Sequence, residues 1–245
     1  MSGITYVQSR SFHPSPPTAP PAFFTTKVAV GDLLIAVSII GNNISIPKAL
    51  PITISDTVNS GYWTSLVADL DSNFQATMSY IQCTAAGPLG LRINELIGNT
   101  DFNNTFWAVG HYTGFVGLAL PASGNITGIF NNVTSPPIVG TPFNTSESNE
   151  LAIAFVNNRS GGTFTTPSPW TIRENSDVST LLFDQVNIPT LGTTVSFSAT
   201  NSISAASIVV LAGFYDQPIP TRFGTPRRRF KQGGNTMGLL LPEWY

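Results

Sequence analysis

The chain has 245 residues and a formal net charge of −2, and only 10% of its residues are charged. Ser, Thr, Asn, Gly and Pro recur alongside β-branched residues, a mixture that favours strands joined by turns over helices. Its one cysteine, Cys83, excludes an intramolecular disulfide, so side-chain burial must hold the fold together. We expect Cys83 to be a small buried residue in an all-β protein.

The predicted elements begin with a short strand at 4–7, followed by a proline-rich run at 14–21. Prolines cannot donate backbone hydrogen bonds to a sheet, so this run predicts an extended connector. Residues 31–40 are almost continuously apolar and β-branched, which predicts a strand buried on both faces. Further strand and turn signals occur at 52–67, 74–83, 91–97, 106–112, 150–156, 170–173, 179–183, 193–198 and 205–215.

Residues 121–143 show no clear pattern, and we expect an insertion or exposed loops there. The strand pattern stops after Tyr215. Many short strands with frequent turn signals predict a two-sheet antiparallel β-sandwich, jelly-roll-like or immunoglobulin-like, over residues 22–216. The N-terminal strand and connector at 1–21 precede it, and a C-terminal arm at 217–245 follows it.

The few charges are unevenly placed. Residues 1–216 carry six basic and twelve acidic residues, a charge of −6, whereas the arm carries five basic residues and one acidic residue, a charge of +4. The arm ends in an apolar, aromatic stretch that an isolated soluble domain has little reason to expose. We therefore predict that the arm binds a partner through Arg222, Arg227, Arg228, Arg229, Lys231, Leu239, Leu240, Leu241, Trp244 and Tyr245.

Several strand and turn segments follow one another in a suggestive order, at 31–37, 56–64, 107–114, 149–155, 170–173 and 206–214. This order resembles a β-sandwich module of tailed-bacteriophage virion structural proteins and of some bacterial surface proteins. The resemblance covers roughly residues 22–215. It implies an architecture and a structural or adhesive setting, but it carries no functional motif.

Groups able to do chemistry are few. The sequence has two histidines, of which His111 is predicted to be outward-facing or hydrogen-bonded in a structural role. Residues 69–73 begin like a calcium loop, but Phe74 and Tyr80 stand where glycine and a bidentate glutamate are required, so a polar hairpin turn is predicted. We predict no catalytic residue, no metal site and no cofactor, and hence no enzyme; no facing carboxylate pair for glycoside hydrolysis is indicated.

Tryptophans allow two interpretations. Trp63, Trp107 and Trp170 stand among strand residues, which predicts packing in the core; the alternative is a sugar-stacking platform. Trp244, near the end of the arm, is the better binding anchor. The arginines would neutralise phosphates, but an acidic body repels a polyanion, so nucleic acid is not an expected partner; a solvated tail is the alternative for the arm.

No apolar window approaches the roughly 20 residues of a membrane span, and the first residues do not predict a secretory signal. We expect a non-enzymatic phage virion structural protein, a capsid decoration or cement protein or a tail-associated one, anchored to another virion protein by its arm. Identical copies are expected to form a symmetric homo-oligomer, for which a trimer is one solution. The alternatives are a module that binds a host receptor or surface glycan through loops at 98–104 or 124–134, and a polysaccharide-degrading enzyme.

Overall fold

The computed structural model describes residues 3–12, 24–41, 53–71, 74–94, 105–131, 137–158, 163–177, 180–200, 202 and 207–217. Every regular element within these ranges is a β-strand, and every strand pair is antiparallel. The all-β prediction is therefore confirmed. The proline-rich run and the arm beyond Gln217, including every predicted partner-binding residue, lie outside the described ranges.

Ten strands form two five-stranded sheets, each built from one half of the chain. The first sheet has the order β1-β7-β2-β5-β4, with bounds β1 Thr5–Phe12, β2 Leu33–Gly41, β4 Thr64–Asp71, β5 Phe74–Gln82 and β7 Thr105–Thr113. The second has the order β12-β13-β11-β16-β8, with bounds β8 Leu118–Asn131, β11 Glu150–Asn158, β12 Thr171–Asp177, β13 Thr180–Ile188 and β16 Ser207–Gln217.

Three two-stranded sheets cover the outer faces. They pair β3 with β6, β9 with β15 and β10 with β14, with bounds β3 Thr53–Asp56, β6 Leu91–Asn94, β9 Ile138–Val139, β10 Phe143–Asn144, β14 Thr194–Val195 and β15 Ser198–Ala199. β3 and β6 contribute to the core on the outer face of the first sheet, and the other four strands contribute to the core on the outer face of the second.

The two large sheets pack face to face around a shared apolar core, as in a β-sandwich. Side chains alternate between this inner core and the outer ones: in β2, Leu33, Ile35 and Val37 point inward, whereas Leu34 and Ala36 point outward, and all five are at most 1% exposed. Leu151–Val156 of β11 are likewise buried, alternately on the two faces. The prediction of a doubly buried strand at 31–40 is confirmed for residues 33–37 of β2.

The two halves repeat one strand order. If the five strands of each large sheet are numbered in chain order, both sheets read first, fifth, second, fourth, third across the sheet. The register repeats as well, because Leu33 pairs with Tyr112 as Leu151 pairs with Phe214, a correspondence that continues along both strands. The chain thus contains an internal structural duplication.

Local features also repeat between the halves. The register slips between Ser65 and Val67 of β4 and, at the equivalent place in β12, between Ile172 and Glu174. One residue before each of these two strands stands a buried tryptophan, Trp63 in the first half and Trp170 in the second. A residue with positive φ precedes the second strand of each half: Gly31 in the first and Asn149 in the second.

Some boundaries differ from the prediction. Residues 118–131 are not a loop or insertion: they form β8, an edge strand paired with β16. Pro121 and the glycines hid this strand, and an edge strand tolerates proline because one side of its backbone needs no partner. The predicted strand at 193–198 is instead two short strands, β14 and β15. The predicted polar hairpin turn fits the pairing of Asp71 with Phe74, which leaves two residues between β4 and β5.

The ends of the strands define two ends of the sandwich. At the end we call the exit end, β16 finishes at Gln217, β8 begins at Leu118, and β2 and β5 meet at Leu33 and Gln82. At the opposite end, the far end, β1, β2 and β8 finish, and β7 and β16 begin.

The described residues include no helix able to cross a membrane.

Candidate functional site

The predicted binding arm departs from a well-anchored root. The last two described residues, Asp216 and Gln217, pair with Ala119 and Leu118 of β8. The Asp216 carboxylate accepts hydrogen bonds from the amides of Val116, at 2.9 Å, and Gly117, at 2.7 Å. The root of the arm is therefore tied to the β7–β8 connection by both backbone and side chain.

Gln82 joins this connection to the loop before β2. Its side-chain nitrogen donates to the carbonyl of Gly31, at 3.2 Å, and to that of Gly117, at 2.8 Å. Its side-chain oxygen accepts from the amide of Ala119 at 3.2 Å. One glutamine thus joins, at the exit end, the loop before β2 and the connection between the two halves of the chain.

These two loops expose large apolar side chains. Val30, Val116 and Leu118 are 68%, 74% and 53% exposed. Val30 adjoins Gly31, and the other two flank Gly117, so all three stand on segments whose backbone Gln82 joins. We call Val30, Val116 and Leu118 the exit patch. Exposed apolar patches on stable monomers commonly mark interaction sites.

The loop that carries Val30 is fixed by a buried polar network. The Oδ2 atom of Asp32 accepts from the amide of Ala29 and lies 2.7 Å from Nε2 of His111. The other ring nitrogen, Nδ1, lies 3.1 Å from the Gln8 amide nitrogen, which also donates to the carbonyl of Thr26 at 2.7 Å. The sequence predicted a hydrogen-bonded structural histidine, and the structure confirms this for His111.

An Asp–His pair also occurs in catalytic triads, where the imidazole faces a nucleophile. Here His111 is 1% exposed, and both of its ring nitrogens are occupied by protein groups, Asp32 and Gln8. The ring of Phe24 stacks on it at 5.9 Å between centroids. This arrangement positions the loop and offers the imidazole no access to a substrate.

A second buried polar cluster lies between the large sheets. Arg173 Nε donates to both carboxylate oxygens of Asp184, at 2.9 and 2.8 Å, and its guanidinium lies 4.3 Å from the centroid of the Tyr6 ring. Burial raises the pKa of Asp184, although the Arg173 hydrogen bond and charge act in the opposite direction. Burial, followed by the charge of Asp184, raises the pKa of Tyr112 well above 10. Ser9 donates to the Arg173 carbonyl at 2.7 Å, so the cluster joins edge strands β1 and β12.

Trp63, Trp107 and Trp170 are 5%, 1% and 4% exposed, which confirms core packing. Trp63 and Trp107 belong to the core outside the first sheet and Trp170 to the core outside the second, so the three cannot form one sugar-stacking platform. Cys83 is buried as predicted, and burial raises the pKa of its thiol to about 12.

The buried carboxylates serve separate local roles. Glu150 accepts from the amides of Ser146 and Glu147, and Glu174 accepts from the Ser11 hydroxyl. The sequence did not predict these contacts or the hydrogen-bond partners of His111, because they depend on how the chain folds. Among the described residues, no group of three or more His, Cys, Asp or Glu side chains is placed to hold a metal ion.

The exit patch beside the root of the arm is the candidate site that the described residues support best. The predicted partner-binding residues of the arm itself lie beyond them. No protein-family model, no curated protein and no solved structure matches this chain.

Proposed function

We propose that this protein is a non-enzymatic structural protein of a tailed-phage virion, displayed on the capsid as a decoration or cement protein or associated with the tail. Its β-sandwich is the displayed body, and its C-terminal arm attaches it to another virion protein. Arg227, Arg228 and Arg229 pair with acidic groups of that protein, while Leu239–Leu241 and Trp244 bury apolar area.

The observation that carries the proposal is the placement of the arm root. Gln217 lies at the exit end, beside the exposed apolar side chain of Leu118. β1 and β2 finish at the far end, immediately before residues 13–23 and 42–52, and β7 begins there, immediately after residues 95–104. An arm that leaves one end, and strands that lead into or out of longer connections at the other, suit a body that is held at its base and displayed at its tip.

The rigidity of the root gives further support. Asp216 and Gln82 hold the exit end with five hydrogen bonds to neighbouring backbone groups. A pull on the arm is therefore transmitted to the sheet through β16, the strand next to β8 and β11.

At a finer level, we propose that each half is a jelly-roll-like unit, in preference to an immunoglobulin-like one. In the first half, the segment around Phe24 and Val28 pairs with Gly87 and Leu89, and β6, which follows, pairs with β3. In the second half, β9 and β10 pair with β15 and β14. An outer layer in which early and late segments of each half pair is in keeping with the Greek-key connections of jelly rolls.

The test uses particles purified from the source of this sequence. Antibodies against residues 1–217 should detect the protein in gradient-purified virions, and a chain truncated after Gln217 should fold but fail to incorporate. The cut is placed there because Asp216 and Gln217 belong to β16. A matched control replaces exposed Val139, on the outer face of the second sheet, by Ser and should incorporate normally. Absence from particles, or incorporation of the truncated chain, would refute the proposal.

A glycan- or receptor-binding module is the second candidate, favoured by the strand ends at the far end that lead into or out of the longer connections. Of the two predicted sugar-contacting loops, residues 124–131 belong to β8, whereas residues 98–104 and 132–134 lie outside the described residues and stay candidates. Host-surface glycan binding that persists in the chain ending at Gln217 would support this function. Binding lost with the arm would contradict it.

A further inference from the structure

We propose that the exit patch of one copy of this protein is the docking site for the apolar end of the arm, Leu239–Leu241, of a neighbouring copy. This inference rests on the proposed role of the arm as an attachment segment, and it identifies the virion protein that receives Leu239–Leu241 as another copy of this chain. Each copy then gives one arm and receives one, as in a reciprocal dimer or a closed ring.

The patch has the properties of a receiving surface. Among the described residues, the large apolar side chains that are at least half exposed are Val30, Tyr62, Val116, Leu118 and Leu191. Three of the five belong to the exit patch. Gln82 and Asp216 fix the loops that carry them, so the patch is ordered before binding and docking costs little conformational entropy.

The chain itself carries a segment of matching chemistry. Leu239, Leu240 and Leu241 form a short apolar run close to the C-terminus. The segment that connects them to the sandwich is basic, with a charge of +4 over residues 217–245, whereas residues 1–216 carry −6. The body of another copy therefore attracts the arm over a distance, and apolar burial on the patch retains it.

The length of the arm allows its apolar end to reach a neighbouring copy. Extended, residues 218–239 span roughly 70 Å, whereas a folded body of this size has a radius of gyration of about 17 Å. Leu239–Leu241 can therefore reach the exit patch of a neighbouring copy, and the cysteine experiment below separates this docking from docking within one copy.

The oligomeric state in solution tests the inference. The full chain should have a multiple of the 26.1 kDa single-chain mass by light scattering, and the chain ending at Gln217 should have a single-chain mass. The triple variant Val30→Ser, Val116→Ser, Leu118→Ser should also be a single chain, with an unchanged melting temperature because all three side chains are exposed. The double control Val139→Ser, Leu191→Ser removes two exposed apolar side chains outside the patch and should keep the oligomer.

A cysteine experiment separates docking between copies from docking within one. Val116→Cys and Leu240→Cys variants, tagged to differ in size, are mixed and oxidised with oxidised glutathione. The buried Cys83, with its raised pKa, should not react. A disulfide between the two differently tagged chains supports the inference. Its absence, together with an intramolecular disulfide when both cysteines are placed in one chain, overturns it.

The inference and the proposed function fail separately. A full chain that stays monomeric yet incorporates into virions through its arm would overturn the docking of arm on patch and leave the proposed function standing. An oligomer that depends on the arm and the patch but never occurs in particles would do the reverse. An oligomer that survives the triple variant would exclude the patch.

Discussion

The carboxylate of Glu150 occupies the space beside Gly213, because a Cβ atom at position 213 would overlap Oε1 of Glu150. The equivalent pair in the first half is Asp32 and His111, since Leu33 and Leu34 pair with Tyr112 and His111 as Leu151 and Ala152 pair with Phe214 and Gly213. In the first half the short acid Asp32 lies beside the large side chain of His111. In the second half the longer acid Glu150 lies beside a glycine. The duplicated site thus holds a buried acid in both halves, whereas the residue beside it differs.

Gly213→Ala should lower the free energy of unfolding by about 1–3 kcal/mol, because the added methyl group forces Glu150 or Phe143 to move. Shortening the acid in a Glu150→Asp, Gly213→Ala double variant should make the loss smaller than the sum of the two single losses. Gly87→Ala is the control, since its new Cβ meets only an ordinary contact with Val58 at 3.6 Å. Urea unfolding of the parent, the two single variants, the double variant and the control gives the free energies. Additive losses from the two substitutions would contradict the proposed overlap.

His111→Ala should cost about 2–3 kcal/mol, because it removes the imidazole partner of the buried Asp32 carboxylate. The loss should be accompanied by faster hydrogen exchange at the Ala29 amide, which donates a hydrogen bond to Oδ2 of Asp32 at 2.7 Å. Gln8→Ala removes a partner of the other ring nitrogen from a half-buried position and should cost less. Unchanged exchange at Ala29 in His111→Ala would show that the network does not fix this loop.

Trp63→Phe and Trp170→Phe should each cost about 1–2 kcal/mol, because each removes one indole hydrogen bond, to Asp56 at 2.8 Å or to the Ser196 carbonyl at 2.8 Å. The two residues belong to separate outer cores, so the losses should add within about 0.5 kcal/mol. Denaturant unfolding of the two single variants and the double variant provides the measurement. A coupling energy above about 1 kcal/mol would contradict the independence of the two cores.

Cys83 should react slowly with thiol reagents in the folded protein at pH 8. Its pKa of about 12, raised by burial, leaves on the order of one thiol in ten thousand as thiolate. Reaction with an aromatic disulfide reagent should become rapid in denaturant. Rapid modification of the native protein would show that the outer core around Cys83 opens readily.

Tyr112→Phe should raise the alkaline limit of stability. Since burial raises the pKa of Tyr112 in the folded state, the folded protein keeps this proton above pH 10 while the unfolded chain loses it. The stabilising contribution is therefore complete below pH 10 and falls as the pH rises further, by up to about 1.4 kcal/mol per pH unit. The Phe variant should lack this dependence of the free energy of unfolding on pH. Phe214 occupies the equivalent position of the second half, so phenylalanine is compatible with this strand pairing. The same dependence on pH above 10 in both proteins would contradict the raised pKa of Tyr112.

The sequence alone determined the strand-rich character of the chain and much of its core. The apolar run around Leu33–Val37, the buried Cys83 and the three core tryptophans were predictable because burial follows from local composition and periodicity. β8 was missed, since an edge strand containing Pro121 and glycines lacks a clear alternating pattern. The predicted residues of the arm lie outside the described part of the chain, so their role stays a prediction.

Only the tertiary structure decided what those strands bring together. The repeated strand order of the two halves depends on pairings between residues distant in sequence, such as Leu33 with Tyr112, which no local sequence pattern predicts. The same holds for the contact of Asp32 with His111, and for Gln82, which joins Gly31 to Gly117 beside the root of the arm. Strand pairing is non-local, so composition can predict that a residue is buried or exposed, whereas its neighbours depend on how the whole sandwich closes.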